Sequence, residues 1–250
     1  MRINHFLLAG CLFTGMVEAD TTLIYNNKEG QEHSRMLLTE GKVKMTNQAD
    51  YSTEILFNST NTSFTVINHD EKSYMVFGQK QIEALGDVSK MVDKMIDQQL
   101  SQMPEAQREQ MRGMIETMVK KQMPKAAPMP NYNKSGESKT YNGFDCDVVV
   151  KEVKGQNDGE FCVTQYSNLG ISDGEYSAVS QFMKIAEKMA AQFGQDQSMN
   201  FDAIGQVVPV YYDMSNNQGF LTEVNDDNLP KGTFEVPAGY QEESLPKELF

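Results

Sequence analysis

Methionine is the residue type whose number and spacing point most directly to chemistry in this sequence. Eight methionines lie between positions 91 and 129. A thioether is a soft ligand that binds Cu(I), so a metal site is one chemistry that these side chains support. A thioether side chain is also unbranched and flexible, and it therefore fills irregular core space or lines a pocket for apolar ligands of variable shape. The sequence leaves these three interpretations open.

The surroundings of the methionines argue against metal binding. No histidine accompanies them, and steps of three or four residues are equally typical of one face of an amphipathic helix. We therefore predict no metal site and no cofactor, and we expect the methionines to contact an apolar ligand or the core. The ligand-binding candidates are Met91, Met95, Met111, Met114 and Met118, together with Phe182 and Met183 of a later predicted helix.

Signatures of enzymatic sites are missing from the sequence. After residue 19 it contains two histidines, His33 and His69, and His69 falls in a predicted turn. There is no glycine elbow around a nucleophilic serine, no zinc-protease motif, no phosphate-binding loop and no dinucleotide fingerprint. Asp226 and Asp227 lack the glycine and the distal glutamate of a calcium-binding loop, so a solvated turn is the better interpretation. We predict that the protein is not an enzyme.

The elements that position the methionines are predicted helices. Apolar residues recur every three or four positions through 81–123, which predicts two amphipathic helices. Pro104 fits the first turn of the second helix, where its missing amide proton costs nothing. A third helix, with its apolar face over 176–193, is predicted to open at Ser172. Ser172 and Glu175 form a capping-box pattern there, and Gly194 is a plausible stop.

β-Hairpins are predicted on both sides of these helices. Apolar runs separated by turn residues predict an antiparallel meander over 21–77, with a tight turn at Glu40-Gly41. Three prolines make 124–135 a predicted loop. Strands return at 207–212 and 220–224.

A disulfide is predicted between Cys146 and Cys162. Their midpoint is Lys154, beside the turn cluster 154–159, so the two cysteines can face each other across a hairpin. Closing a loop of this size contributes about 3 kcal/mol in the chain-entropy model. Because the spacing is not Cys-x-x-Cys, a redox-active pair is disfavoured.

The N-terminus predicts export. Arg2 precedes an apolar run at 6–17, and cleavage after Ala19 is expected, so that a signal peptide occupies residues 1–19. The alternative is a lipoprotein anchored at Cys11, which ends a sequence resembling a lipoprotein box. No stretch of the mature chain approaches the about 20 apolar residues needed to span a bilayer. A periplasmic location is the expectation.

Charge and length limit the function classes. The net charge of −13 and the pI of about 4.7 argue against nucleic acid and against docking on anionic lipid head groups. Residues 20–245 are long enough for a single α+β domain, with the helical insert at 81–123 and the loop at 124–135.

Several stretches of the sequence resemble known families. The closing and opening segments are similar to the periplasmic lipoprotein-carrier (Lol-type) superfamily. The closing segment is VPVYYDMSNNQGFLTEV followed by FEVPAGY, and the opening segment contains LLTEGKVKM and ILFNSTNTSFTVINHDEKSYMVF. The Met-rich insert followed by GESKTYNGFDCDVVVKEV and GEFCV more narrowly resembles a bacterial envelope family catalogued only as a domain of unknown function. The resemblance implies an incomplete, strongly curved antiparallel barrel with helices packed in its mouth. In the carriers that cavity holds acyl chains, but no carrier-specific functional residue matches this chain.

These observations predict an α+β fold in which amphipathic helices cover the concave face of a curved antiparallel sheet. The expected function is a non-enzymatic periplasmic protein that holds an acyl chain or another hydrophobic ligand between sheet and helices, with a lipid or a lipoprotein segment as partner. The alternative is an envelope interaction protein with a packed interior. A methionine-based soft-metal binder is the third alternative.

Overall fold

The computed structural model describes residues 20–47, 50–101, 103–122, 127–192, 194, 199, 201–214, 217–226 and 228–244. Within helices and strands, the side chains of eight of these residues are not described: Asp50, Tyr51, Val88, Met91, Ala106, Val119, Lys120 and Gln122. The predicted signal peptide, including Cys11, and the prolines Pro124 and Pro246 lie outside the described residues. The strands, helices, pairings and contacts below belong to these described residues.

Twelve strands form one sheet, and the chain builds it in two halves of six strands separated by helices. The first six strands are β1 (Thr21–Asn26), β2 (Glu32–Thr39), β3 (Lys42–Asn47), β4 (Asp50–Asn58), β5 (Ser63–Asn68) and β6 (Ser73–Phe77). The last six are β7 (Asn131–Tyr141), β8 (Phe144–Val153), β9 (Gln156–Gln165), β10 (Val207–Met214), β11 (Asn217–Asn225) and β12 (Gln241–Glu242). Every pairing is antiparallel except that of β12 with β6.

The strand order is β12-β6-β5-β4-β3-β2-β1-β11-β10-β9-β8-β7. The first strand therefore lies in the middle, and it pairs with β2 on one side and with β11 on the other. The edge strands β7 and β12 are far apart in this order, and the sheet does not close on itself. The predicted α+β class and the predominance of antiparallel pairing are confirmed.

The predicted disulfide is present in the second half of the sheet. Cys146 on β8 and Cys162 on the neighbouring β9 are bonded, with their Cα atoms 5.3 Å apart. The hairpin between them turns at Lys154 and Gly155, which both have positive φ (53° and 76°). Two consecutive positive φ angles are typical of a type I′ turn, whose twist matches that of the flanking strands. The local turn residues thus bring the two cysteines together.

Strand β7 corrects the predicted loop. The strand begins at Asn131, directly after Pro130, and so occupies the last part of the predicted loop 124–135. Its side chains are mostly exposed because β7 is an edge strand that pairs with β8 alone. An edge strand of this kind lacks the alternation of apolar and polar residues on which a sequence prediction depends.

Four α-helices connect and cover the strands: α1 (Gln79–Leu85), α2 (Val88–Ser101), α3 (Glu105–Gln122) and α4 (Asp173–Gln192). A 3-10 turn at Tyr166–Leu169 precedes α4. Gly86 ends α1, and α3 begins immediately after Pro104, so the predicted helical insert 81–123 consists of three helices instead of two. None of the helices among the described residues combines the length and the apolar character needed to cross a bilayer.

Helix α4 packs on one face of the sheet, against β2, β3 and β4. We call this the helix-packed face. At its centre the ring of Phe182 lies 5.9 Å from that of Phe57 on β4 and 5.4 Å from that of Phe64 on β5. Helix α1 contacts β6 and α4, whereas the main contacts of α2 are with α1 and α3. The contacts to the sheet therefore come chiefly from α4.

The predicted capping box is confirmed at the start of α4. The Ser172 hydroxyl accepts a hydrogen bond from the Glu175 amide (3.3 Å), and the Glu175 carboxylate accepts one from the Ser172 amide (2.8 Å). The same carboxylate also accepts hydrogen bonds from the amide (2.9 Å) and the hydroxyl (3.2 Å) of Thr21, the first residue of β1. Glu175 thus fixes the first turn of α4 to the central strand of the sheet.

Candidate functional site

A small apolar cavity lies between α4 and the helix-packed face, and its volume is about 80 Å³. Four residues of α4 form its roof: Tyr176, Val179, Ser180 and Met183. They follow one another at steps of three, one and three residues, which places them on a single face of the helix. The amphipathic pattern that makes α4 pack on the sheet is therefore the pattern that forms the roof.

The floor comes from strands that are distant in the sequence. It consists of Tyr25 on β1, Ser34 and Met36 on β2, Met45 on β3, and Tyr212 with residues 207–209 on β10. Met36 and Met45 are directly paired across β2 and β3, so their thioethers lie side by side on one face. Flexible methionines lie in the floor at Met36 and Met45 and in the roof at Met183.

The tyrosines of the floor are held in place by specific contacts. The Tyr25 hydroxyl donates a hydrogen bond to the Pro209 carbonyl (2.9 Å), and its ring lies 6.1 Å from that of Tyr212. Tyr212 pairs with Gly219 on β11, and a Cβ atom at position 219 would lie only 2.4 Å from the Cζ atom of Tyr212. Gly219 thus leaves the space that the tyrosine ring occupies.

Burial raises the pKa values of the phenols that line the cavity. Burial raises the pKa of Tyr25, and the neighbouring Tyr212 raises it further. Burial also raises the pKa of Tyr212, although a hydrogen bond with Ser34 partly offsets the rise. For Tyr176 the pKa is raised first by burial and second by the nearby Asp202 carboxylate. An ordinary tyrosine is already neutral at pH 7, and these shifts extend the neutral state of the three phenols to more alkaline pH.

A third wall comes from the segment that leads into β10, which contributes Met199, Phe201 and Asp202. The Phe201 ring contacts the rings of Phe161 on β9 (5.0 Å) and Tyr132 on β7 (5.1 Å), so this wall is fixed to the second half of the sheet. The cavity thus lies where α4, the segment before β10 and the sheet meet.

Polar side chains lie where the cavity adjoins a second pocket, and we call this side its mouth. The Ser180 hydroxyl donates a hydrogen bond to the Asp202 carboxylate (3.1 Å), and the Lys184 ammonium pairs with the same carboxylate at 2.5 Å. Beside these residues a polar groove lies between α4 and residues 202–206, and Asp173, Gln181 and Lys184 are among its lining residues. The cavity and the groove share Tyr176, Ser180 and Asp202, so they are adjacent.

The structure brings few of the sequence-predicted site residues to this cavity. Met183 lines it, and Phe182 is buried beside it in the aromatic cluster with Phe57 and Phe64. Met95, Met114 and Met118 are 39%, 51% and 55% exposed on α2 and α3. Met111 is half-buried on α3, and Met91 belongs to α2 but its side chain is outside the described ones.

The cavity also contains residues that the sequence prediction missed, above all Tyr25, Met36, Met45, Phe201 and Tyr212. The signal that marks Tyr25 and Met36 is the alternation of buried residues along β1 and β2, which places every second side chain on the helix-packed face. Alternation identifies a face, but it does not indicate which part of that face remains unfilled.

The histidines of the described chain lie away from the cavity. His33 lines a separate polar cleft with Asn27 and Asp213. His69 forms a hydrogen bond between its Nδ1 atom and the Tyr240 hydroxyl (2.7 Å), and its Nε2 atom lies 3.4 Å from the Glu54 carboxylate. Among the residues described, no group of three or more histidine, cysteine, aspartate or glutamate side chains is arranged to hold a metal ion.

Comparisons with known proteins give no family. No family model matches the chain, and no curated protein matches it. Among solved structures, PNGF-II in space group C2 is similar with a TM-score of 0.41 at 10% sequence identity. The P21 form of PNGF-II gives a TM-score of 0.40 at 8% identity. Each alignment covers 90% of this chain but 31% of PNGF-II, so this chain matches less than a third of that protein.

Proposed function

We propose that this chain is a non-enzymatic, exported binding protein that holds an acyl chain or a similar apolar ligand between α4 and the sheet. The observation that carries the proposal is the apolar cavity under α4, with methionines in its floor, its roof and its third wall. Ligand pockets for small molecules are mostly apolar with a few convergent polar groups, which is the composition of this cavity and its mouth.

The volume of the cavity determines the mechanism that we propose. At about 80 Å³, the cavity is well below the about 300 Å³ of ordinary ligand pockets. We propose that the structure is a closed state and that a ligand enters by displacing side chains of α4 from the floor. Met36, Met45 and Met183 are suited to this because an unbranched thioether repacks at low cost. Burial of ligand surface, at about 25 cal/mol per Å², drives the exchange.

We further propose that the sheet is curved and that α4 lies on its concave side, as the resemblance to lipoprotein carriers implies. Irregular pairing supports the curvature, because a β-bulge bends the strand that contains it. One shift of register falls between Ile24 and Tyr25, and another between Pro209 and Tyr211. Both shifts adjoin the floor of the cavity, where a bend makes room between sheet and helix.

The helical hairpin formed by α2 and α3 favours a second function, an interaction with an envelope partner. Met95, Met114 and Met118 are among the few large apolar side chains of the described residues that are exposed. Exposed apolar patches are typical of surfaces that dock a partner. In this alternative the interior remains packed and the methionines of the hairpin form the contact.

Native mass spectrometry of protein purified from the exported fraction, together with lipid extraction, tests the proposal. We expect a lipid-sized adduct on the wild-type protein. The variant Val179→Phe fills the cavity and loses the adduct, whereas Met114→Phe, which changes an exposed residue of α3, retains it. Circular dichroism checks that both variants are folded. If neither the wild type nor the variants carry a lipid, and none of them takes up a fluorescent fatty acid, the proposal is wrong. If the adduct is lost in Met114→Phe alone, the hairpin is the site.

A further inference from the structure

The mouth of the cavity contains two hydrogen-bond donors that already hold a carboxylate. Ser180 and Lys184 are one helical turn apart on α4, and both contact the side chain of Asp202 (3.1 and 2.5 Å). Asp202 does not belong to α4 but to the segment before β10, which forms the opposing wall of the cavity. The carboxylate therefore joins two walls that must separate if the cavity is to widen.

We infer that Asp202 is a built-in competitor for the head group of the ligand, and that the ligand is a single-chain amphiphile with a carboxylate head. This inference rests on the proposed function. When the alkyl chain enters under α4, the walls separate and Asp202 leaves Ser180 and Lys184. The carboxylate of the ligand then accepts the hydrogen bond of Ser180 and pairs with Lys184. The alkyl chain contacts Met183 and the methionines of the floor.

The geometry of the two sites supports this exchange. The apolar cavity and the polar groove are adjacent and share Tyr176, Ser180 and Asp202. Once Asp202 moves away, an amphiphile can span this boundary with its two ends in matching surroundings. Lys184 is the lysine that lines the groove, and it is about half exposed. Charges farther away have less effect, because salt screens exposed charges beyond about 8 Å at physiological ionic strength. Asp173 also lines the groove, but its carboxylate already accepts a hydrogen bond from the Tyr166 hydroxyl. We therefore expect Ser180 and Lys184 to decide the head-group preference despite the negative net charge.

The inference predicts how the preference for a carboxylate changes when the competitor or the donor is removed. Affinities for decanoic acid and 1-decanol are measured by calorimetry at about pH 7.5, where a carboxylic acid is ionised. Lys184→Gln is expected to lower the ratio of acid affinity to alcohol affinity about fivefold, since an exposed ion pair contributes modestly. Asp202→Asn is expected to raise that ratio by a similar factor and to tighten binding of the alcohol as well, because the contact between the walls weakens.

A matched ion pair elsewhere provides the control. Lys139 and Glu160 form a pair at 2.7 Å on β7 and β9, with exposure similar to that of Asp202. Lys139→Gln and Glu160→Gln are expected to leave the ratio within a factor of about two of the wild-type value. The head-group inference is overturned if Lys184→Gln and Asp202→Asn also leave the ratio of acid affinity to alcohol affinity within this range. It is likewise overturned if they move the ratio in the directions opposite to those expected. If neither amphiphile binds the wild type or Asp202→Asn, the proposed function itself fails.

Discussion

Replacement of Glu175 by alanine is expected to destabilise the protein by about 3 kcal/mol. Glu175 is 2% exposed, and its carboxylate accepts hydrogen bonds from the amide and hydroxyl of Thr21 and from the amide and hydroxyl of Ser172. The substitution removes this acceptor from two backbone amides, the buried amide of Thr21 and the partly buried amide of Ser172. Hydrogen bonds to a charged group contribute about 1.5–3 kcal/mol each, and an unsatisfied buried amide costs about 1–3 kcal/mol.

Urea denaturation measures this loss as a lower midpoint. Glu109→Ala serves as the control, because Glu109 is exposed on α3 and its removal is expected to change stability by less than about 0.5 kcal/mol. Glu175→Gln is expected to give a smaller loss than alanine, since its amide retains one acceptor oxygen. A change below about 1 kcal/mol for Glu175→Ala would show that β1 and α4 are held together by packing alone.

Replacement of Phe182 by alanine is expected to cost about 4 kcal/mol. Phe182 is 4% exposed, and its ring contacts Phe57 and Phe64, so it connects α4 to two neighbouring strands. The truncation removes apolar surface from the core and leaves a void that the sheet cannot close, because the paired strands have a fixed register.

The measurement is again urea denaturation, and the slope of the unfolding free energy against urea concentration is a second readout. An unchanged slope with a lower midpoint is expected if the native state stays compact. Met114→Ala is the matched control, since it removes a large apolar side chain from an exposed position of α3 and is expected to cost less than about 1 kcal/mol. Equal losses of unfolding free energy for Phe182→Ala and Met114→Ala would contradict the conclusion that α4 is the helix that packs on the core.

The parts of the fold that local sequence determines were predictable. The turn at Lys154-Gly155 and the spacing of Cys146 and Cys162 predicted a disulfide-bonded hairpin, because turn chemistry acts over a few residues. Ser172 and Glu175 predicted the first turn of α4 for the same reason. The additional bonds from Glu175 to Thr21 were not predictable, because they depend on which strand lies beside the helix.

Local sequence patterns could not predict the cavity. Its floor joins Tyr25, Met45 and Tyr212, which come from three strands and meet only in the assembled sheet. The high density of methionines predicted a site on α2 and α3. Three of those methionine side chains are exposed, whereas Met36 and Met45 line the cavity. A methionine on an amphipathic stripe carries no information on whether the stripe covers the sheet or another helix.

The most direct test of the ligand site is NMR of protein labelled with ¹³C at the methionine methyl groups and titrated with 1-decanol. The methyl signals, assigned by single Met→Leu variants, report both candidate surfaces in one experiment. The proposal predicts that Met36, Met45, Met183 and Met199 shift while Met95, Met114 and Met118 keep their positions. Shifts confined to the methionines of α2 and α3, or no shift at saturating ligand, would contradict a binding site between α4 and the sheet.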